Sequence, residues 1–254
     1  MLADERRTLI MNELHSKGIV KVNELAKKFN ITSETVRRDI NLLQEKKLVN
    51  KIYGGAVLAG STIKDSLYST RETLHAKEKS AIGKLAASLI HDQDTIMLGS
   101  GTTTLEIAKN IKHLHNLTVI TNSIPVILEL LPTGIHIFCT GGAIGTVDLN
   151  MSDAFALNAL KNYHVDTAFI TALGITQQAG VTCYTPEESL FAKQIKNQAR
   201  QTILTIDSSK FGHNSLVVQG QIQDYDIIIT DSNIPTHYIT DFNNNDIALM
   251  IADV

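Results

Sequence analysis

The stretch SETVRRDINLL, residues 33–43, decides the fold of the first part of the chain. Val36, Ile40 and Leu43 recur at intervals of three and four residues, which predicts a helix with one buried face. Asp39 is expected at the flank of this helix, paired with a neighbouring arginine. Ser33 is expected to cap this helix. The polar residues of the helix start and of the opposite face are Ser33, Glu34, Thr35, Arg37, Arg38 and Asn41.

This polar face suits a helix that reads DNA in the major groove. Arginine can bind guanine through two hydrogen bonds, asparagine can bind adenine, and the first residues of a recognition helix reach the base edges. The other interpretation is a solvated helix face held by salt bridges between neighbouring turns. The helix alone does not separate the two.

The flanking sequence favours DNA binding. Residues 4–16 predict a helix, residues 20–22 a very short strand, and Asn23 the cap of a second helix that ends before the turn at residues 30–32. Two short helices joined by a tight turn form a helix-turn-helix. Downstream, Gly54-Gly55 predicts a hairpin, which is then the wing, and Lys46, Lys47 and Lys51 are expected to face phosphates.

The distribution of charge along the 254 residues also separates the predicted helix-turn-helix and wing from the rest of the chain. Residues 1–58 carry a net charge of +4 and residues 59–254 one of −7, within a total of −3. A basic head suits phosphate contacts, although such an asymmetry also arises by chance. The apolar runs are too short for a membrane span, and the first residues lack a signal-peptide core, so a cytoplasmic protein is expected. Cys139 and Cys183 are expected to be buried reduced thiols.

The rest of the chain predicts a second domain of the α/β class. Residues 59–74 are polar and mixed, which indicates a linker between a domain at 1–58 and one at 75–254. From about residue 77 onward, strand-like segments, the first two at residues 95–98 and 118–121, alternate with helix-like segments. This alternation is typical of a mostly parallel sheet with helices on both faces. Ligands bind such sheets at the carboxyl ends of the strands.

Three loops follow predicted strands at that edge. They are GSGTTT at residues 99–104, Thr121-Asn122, and Gly141-Gly142. Glycines let a backbone approach a ligand closely, and hydroxyl and N–H groups at a helix start bind anions. Each loop alone is better explained as an ordinary turn. Together they predict one anion-binding pocket.

Here the sequence resembles a known family. SETVRRDINLL followed by KIYGGAVL is similar to the DeoR family of bacterial regulators, and so are GSGTTT, VITNS, TGG, TCYTPEES and IDSSKFG in their order and spacing. The resemblance implies a winged helix-turn-helix followed by a sensor domain that resembles ribose-5-phosphate isomerase in fold. It also implies a homo-oligomeric repressor of a carbohydrate or nucleoside catabolic operon, bound to double-stranded operator DNA and released by a phosphorylated sugar.

The resemblance also implies roles for residues of the pocket. Gly101, Thr102 and Thr103 would cradle the phosphate, and Lys210 would supply a cation. Glu188 and Lys193 would contact sugar hydroxyls, although a surface helix position explains Lys193 better and a solvated loop would explain Lys210. GVTCYTPEE is similar to family members that repress deoxyribonucleoside catabolism, which implies deoxyribose-5-phosphate as a candidate effector.

Two departures from the family concern the sugar-binding residues of the pocket. Many members carry an aspartate where this chain has Gly99, and many carry an arginine shortly after Gly-Gly, where this chain has Ile144-Gly145-Thr146. Without that carboxylate, a sugar-phosphate isomerase with an accessory DNA-binding head is the weaker alternative. No cofactor or metal site is expected. The sequence fits an activator of transcription as well as a repressor.

Overall fold

The computed structural model describes residues 3–17, 19–46, 48–52, 54–58 and 68–254. They fall into two compact units that divide after Leu74. Among the described residues, every helix is too short or too polar to cross a bilayer.

The first unit is a winged helix-turn-helix, as predicted. Its three strands form one antiparallel sheet in the order β1-β3-β2, so the wing is the β2–β3 hairpin. A further short helix, α4, occupies the described part of the predicted linker. The elements are α1 (Ala3–Lys17), β1 (Ile19–Lys21), α2 (Val22–Phe29), α3 (Ser33–Glu45), β2 (Val49–Ile52), β3 (Gly55–Leu58) and α4 (Tyr68–Thr73).

The helices of this unit share one apolar core. Ile10 and Leu14 of α1 are fully buried, and Val36 and Ile40 of α3 are at most 1% exposed. Burying each such side chain contributes about 1.5–3 kcal/mol. The apolar stripe predicted for α3 is therefore the face that holds it against α1.

Two predicted helix caps are wrong by one or two residues. Lys21, rather than Asn23, is the N-cap of α2, because the helix already begins at Val22. The N–H of Val22 donates to Gly54 O at 2.7 Å. Thr32, rather than Ser33, caps α3. Its side-chain oxygen accepts the Thr35 N–H at 3.2 Å, a bond that satisfies a first-turn donor.

The second unit contains a seven-stranded sheet with the order β15-β14-β12-β9-β4-β5-β6. Every pairing within it is parallel, which confirms the predicted α/β class. Its strands are β4 (Thr95–Leu98), β5 (Thr118–Thr121), β6 (His136–Cys139), β9 (Val165–Ile170), β12 (Ala199–Thr205), β14 (Ile227–Asp231) and β15 (Leu249–Ala252).

Helices cover both faces of this sheet. On β4, Ile96 and Leu98 belong to one buried cluster and Met97 to the other, because side chains alternate across a strand. Helices α5 and α6 pack on the first face, and α8, α9 and α10 on the second. The helices are α5 (Ala76–Ala87), α6 (Thr102–Asn110), α7 (Ile124–Leu130), α8 (Ala154–Leu160), α9 (Pro186–Gln198) and α10 (Thr236–Asn244).

Short elements escaped the sequence prediction. They are α10 and five strands: β7 (Ile144–Gly145), β8 (Asn150–Met151), β10 (Gly174–Thr176), β11 (Gly180–Cys183) and β13 (Val217–Gly220). All five of these strands have two to four residues, which is too short for alternation to be read. Cys183 is buried as predicted, but the prediction for Cys139 is wrong, because it ends the outermost strand, β6, and is exposed.

Candidate functional site

The polar face of α3 is presented to solvent. Glu34, Arg37, Arg38 and Asn41 are exposed, and Ser33 and Thr35 are half-buried. Glu34 lies 3.7 Å from Arg37 Nη1 and 4.0 Å from Arg38 Nε. These ion pairs are exposed and therefore weak, so both guanidinium groups can exchange Glu34 for another partner. The predicted recognition face exists as a surface.

Asp39 is where the sequence prediction fails. It is 2% exposed rather than at the flank, and its partners belong to α1 rather than to α3. Arg6 donates to it through Nε and through Nη2, the latter at 3.1 Å, and Arg7 Nη1 lies 3.5 Å away. Alternate residues of a helix face different directions, so the carboxylate next to Arg38 points inward. Asp39 thus fixes α3 against α1.

The wing and α3 border a common groove of about 450 Å³. Arg37 and Lys51 line it together with Asn23 at the start of α2. Ser33 Oγ donates to Asn23 Oδ1 at 3.3 Å, which ties the starts of α2 and α3 together. Lys46 is exposed beyond α3, and Lys47 lies outside the described residues. The groove carries two cations on adjacent elements, as a phosphate backbone requires.

In the second unit, strand register brings the three predicted loops to one edge. Leu98 of β4 pairs in register with Thr121 of β5, and Thr121 pairs with Cys139 of β6. Thr121 Oγ1 donates to Leu98 O at 2.7 Å, and Thr140 N donates to Thr121 O at 3.1 Å. The loops after β4, β5 and β6 therefore start side by side.

The first of these loops leads into α6, whose N-terminus has no side-chain cap. Gly101 is the N-cap, and without a side chain it cannot cap the first-turn N–H groups. Its φ is +152°, and a Cβ there would lie 2.7 Å from Thr171 Oγ1. Thr102 and Thr103 follow and are 8% and 5% exposed. A helix N-terminus of this kind attracts anions through its dipole and its N–H groups.

Two buried polar atoms end the neighbouring strands without a hydrogen-bond partner among the described residues. They are Asn122 Oδ1, after β5, and Thr140 Oγ1, after β6. Asn122 is 1% exposed, and its Nδ2 donates to Met151 O at 3.1 Å. Buried polar groups are rarely left unpaired, so these atoms indicate a place for a polar ligand or ordered water. Sequence reasoning missed Thr140, because a strand-end threonine carries no signal of its own.

The Gly141-Gly142 loop is held by Asp153. A Cβ on Gly142, whose φ is +104°, would lie 2.2 Å from Asp153 Oδ1. The Asp153 carboxylate accepts the N–H groups of Ala156 at 3.0 Å and Ala143 at 2.9 Å. These bonds hold the pKa of Asp153 below its ordinary value. Asp153 thus fixes the Gly141-Gly142 loop at the edge of the sheet where the backbone of the loop is expected to contact a ligand.

The charged residues predicted for the pocket are more dispersed. Lys210 lies in a 3₁₀ turn after β12, at the same edge of the sheet, and is 8% exposed. Glu188 forms a capping box at the start of α9, where one of its oxygens accepts the N–H groups of Tyr184 at 2.9 Å and Thr185 at 3.1 Å. Lys193 is exposed further along α9. A contact of any of the three with an effector stays a prediction.

Cys183 should resist alkylation in the folded protein. Burial, followed by the nearby Glu188 charge, raises the pKa of this thiol to about 12, so at pH 8 almost none of it is thiolate, which is the reactive form. In a Cys139→Ser variant, iodoacetamide at pH 8 should leave the protein unlabelled until urea unfolds it, as judged by mass spectrometry. Labelling of the native variant at the rate of a free thiol would contradict this burial.

The fold and the two sites define a DNA-binding regulator with an α/β sensor domain. Residues 6–62 match the DeoR-like helix-turn-helix domain, and residues 74–232 match the DeoR C terminal sensor domain. The chain belongs to the DeoR family of transcriptional regulators, which confirms the resemblance seen in its sequence.

Full-length relatives agree with this assignment. The chain is 31% identical to the HTH-type transcriptional repressor GlcR of Bacillus subtilis (strain 168), over 100% of this chain and 98% of the relative. It is also 31% identical to the HTH-type transcriptional regulator YgbI of Escherichia coli (strain K12), over 99% of both chains. Both relatives are named as transcriptional regulators, in agreement with the family.

Among solved structures, the chain is similar to a D-ribose-5-phosphate isomerase in complex with phospho-erythronic acid. The match covers 54% of each chain, with 18% identity and a TM-score of 0.40.

Proposed function

We propose that the chain is a cytoplasmic repressor of a carbohydrate or nucleoside catabolic operon, which binds operator DNA as a homo-oligomer and is released by a phosphorylated sugar. The N-terminus of α6, which has no side-chain cap, carries the effector half of this proposal together with the unpaired Asn122 and Thr140 oxygens at the same edge of the sheet. The exposed arginines of α3 carry the DNA half.

On DNA, α3 would lie in the major groove with Arg37, Arg38 and Asn41 facing bases. Lys51 of the wing would contact the phosphate backbone, since it shares a groove with Arg37. Two copies of the head would read two half-sites whose spacing matches the oligomer. This arrangement uses the exposed polar face of α3 and leaves the buried face in the core.

Arg38→Ala should weaken binding to operator DNA by about 1–3 kcal/mol, because it removes one direct contact to a base. The side chain of Arg38 is 78% exposed, so its removal should not change the fold. Fluorescence anisotropy with duplexes selected by the parent protein from a random pool measures the effect. Lys109→Ala, a similarly charge-removing change on α6, is the control and should bind like the parent. Equal affinity of Arg38→Ala and parent would remove Arg38 from the interface.

In the sensor domain, the phosphate would bind at Gly101, Thr102 and Thr103, and the sugar hydroxyls would reach the polar ends of β5 and β6. The N–H groups of a helix start bind the phosphate, and the Asn122 and Thr140 oxygens can accept hydrogen bonds from hydroxyls. A phosphorylated sugar supplies both kinds of group. Inorganic phosphate supplies only the first and should bind more weakly.

Release from DNA follows if the effector favours a state that no longer matches the operator. A tenfold loss of operator affinity needs a preference of about 1.4 kcal/mol for that state. Gel shifts of the full chain on selected operator DNA, titrated with phosphorylated sugars including deoxyribose-5-phosphate and ribose-5-phosphate, test this directly. At least one sugar should release the DNA. Release by none would contradict the effector half, and tighter binding with activated transcription would reverse the sign of regulation.

Lys210→Ala should give a protein that binds operator like the parent but needs at least tenfold more effector for release. A cation near the phosphate stabilises it, and the predicted loss of that charge weakens effector binding alone. The gel shift with effector is the measurement, and Lys193→Ala, an exposed lysine of α9, is the comparison. If Lys210→Ala responds like the parent, Lys210 does not belong to the pocket.

A further inference from the structure

Large apolar side chains are exposed at one end of the seven-stranded sheet. Phe138 on the outermost strand, β6, is 48% exposed, and Phe155 near the start of α8 is 79% exposed. Monomeric proteins rarely expose apolar groups in a cluster of this kind. Among the described residues, the exposed large apolar side chains between positions 128 and 155 are Leu128, Leu131, Phe138, Ile144, Val147 and Phe155.

Contacts place β6 next to the β7–β8 hairpin and the end of α8. The rings of Phe138 and Tyr163, just after α8, have centroids 5.8 Å apart. Ile144 pairs with Met151 across the hairpin, and Met151 Sδ lies 3.5 Å from Cys139 Sγ. Ile144 is itself 58% exposed. Strand β6 therefore borders both the hairpin and the segment that follows α8.

Asp153 joins the hairpin to α8. Its carboxylate binds the N–H of Ala143, next to Ile144, and the N–H of Ala156, next to Phe155. These two bonds keep the start of α8 beside the hairpin. We call the surface formed by Phe138, Ile144 and Phe155 the edge patch.

The edge patch lies in a stretch that carries almost no charge. From His113 to Leu160 the sequence contains no lysine or arginine, and its acidic residues are Glu129, Asp148 and Asp153. Glu129 pairs with Lys112, and Asp153 is bound to backbone N–H groups. A surface with so little charge offers little to a charged partner such as nucleic acid, whereas two identical copies of it meet with little repulsion.

We infer that the edge patch is where a second copy of this chain packs, with β6, the hairpin and α8 of the two copies related by a two-fold axis. The same patch then serves both copies, as a two-fold interface requires. The two phenylalanine rings expose on the order of 250 Å², roughly a third of the about 800 Å² per partner in a standard interface. This inference rests on the proposed homo-oligomer and adds the surface that forms it.

The location has a consequence for regulation. Gly141 and Gly142 connect β6 to β7, so the loop that borders the candidate effector pocket also borders the edge patch. An effector held by that loop would act directly on the contact between copies.

Sedimentation velocity of the full chain tests the interface. The parent should sediment as a dimer or a higher oligomer. Phe155→Glu and Ile144→Glu should each halve the number of subunits at the same protein concentration, because each buries a charge in the contact. Both residues are mostly exposed, so circular dichroism and thermal unfolding should show an intact fold; if one variant fails to fold, the other decides.

Leu216→Glu is the matched control, since Leu216 is 72% exposed and lies just before β13, outside the seven-stranded sheet. It should keep the parent's subunit number. If the parent is an oligomer and the folded patch variants stay assembled, the proposed interface is wrong but the oligomer stands. The same holds if the Leu216→Glu control dissociates as much as the patch variants. A monomeric parent overturns both.

Discussion

Asp39→Ala should destabilise the winged helix-turn-helix unit by about 3–5 kcal/mol, because it leaves the largely buried Arg6 guanidinium without its carboxylate. Arg6 is only 11% exposed on its side chain and Asp39 only 3%. Hydrogen exchange of peptides from α1 and α3 measures the effect. Protection of their amides should fall by about two to four powers of ten, which is the same free energy expressed as an equilibrium constant.

Asp4→Ala is the control for this variant. Asp4 also pairs with an arginine, Arg7, at 2.6 Å, but its side chain is 92% exposed. An exposed ion pair contributes at most about 1 kcal/mol, so protection in α3 should hardly change. If Asp39→Ala and Asp4→Ala behave alike, the Asp39 ion pair does not hold α3 against α1.

Gly101→Ala should abolish release from operator DNA at effector concentrations that release the parent. A Cβ at this position would lie 2.7 Å from Thr171 Oγ1, and the φ of +152° is itself unfavourable for alanine, at a cost of about 1–3 kcal/mol. Relief of that strain moves the N-terminus of α6, where the phosphate is proposed to bind. Effector-induced thermal stabilisation, measured with the sugar phosphate that releases the parent, should disappear.

Gly134→Ala controls for backbone strain alone. Gly134 has a φ of +80°, and a Cβ there would meet nothing within 4 Å. This variant should lose some stability yet keep its response to effector. A Gly101→Ala protein that responds to effector like the Gly134→Ala protein would place the phosphate elsewhere.

Long regular elements could be predicted from the sequence, because their periodicity is repeated often enough to be read. Strands β4 and β5 match the predicted bounds, and the apolar stripe of α3 is the buried face. The β7–β8 hairpin could not be predicted, since two residues per strand carry no period. The helix caps shifted because several polar residues near a helix start can serve as the N-cap.

In the candidate site, contacts between residues far apart in the sequence could not be predicted. Gly101 and Asn122 could be placed at one edge of the sheet, because a loop after a strand has a predictable position in a parallel sheet. Asp39 was misplaced, since its partners lie 32 and 33 residues earlier and helical spacing says nothing about them. Thr140 was missed for a related reason, because its unpaired oxygen is visible only once its neighbours are in place.

Binding of the full chain to a mixed-sequence DNA duplex, measured by fluorescence anisotropy as a function of salt, tests whether α3 and the wing form a DNA-binding surface. The basic face of α3 and the wing should bind the duplex at low salt, and the logarithm of the association constant should fall linearly with the logarithm of the salt concentration. Replacing Lys51, the proposed phosphate contact of the wing, by alanine should reduce the magnitude of that slope by about 1. A folded protein that does not bind the duplex at low salt would show that α3 and the wing do not form a DNA-binding surface, whatever the sensor domain binds.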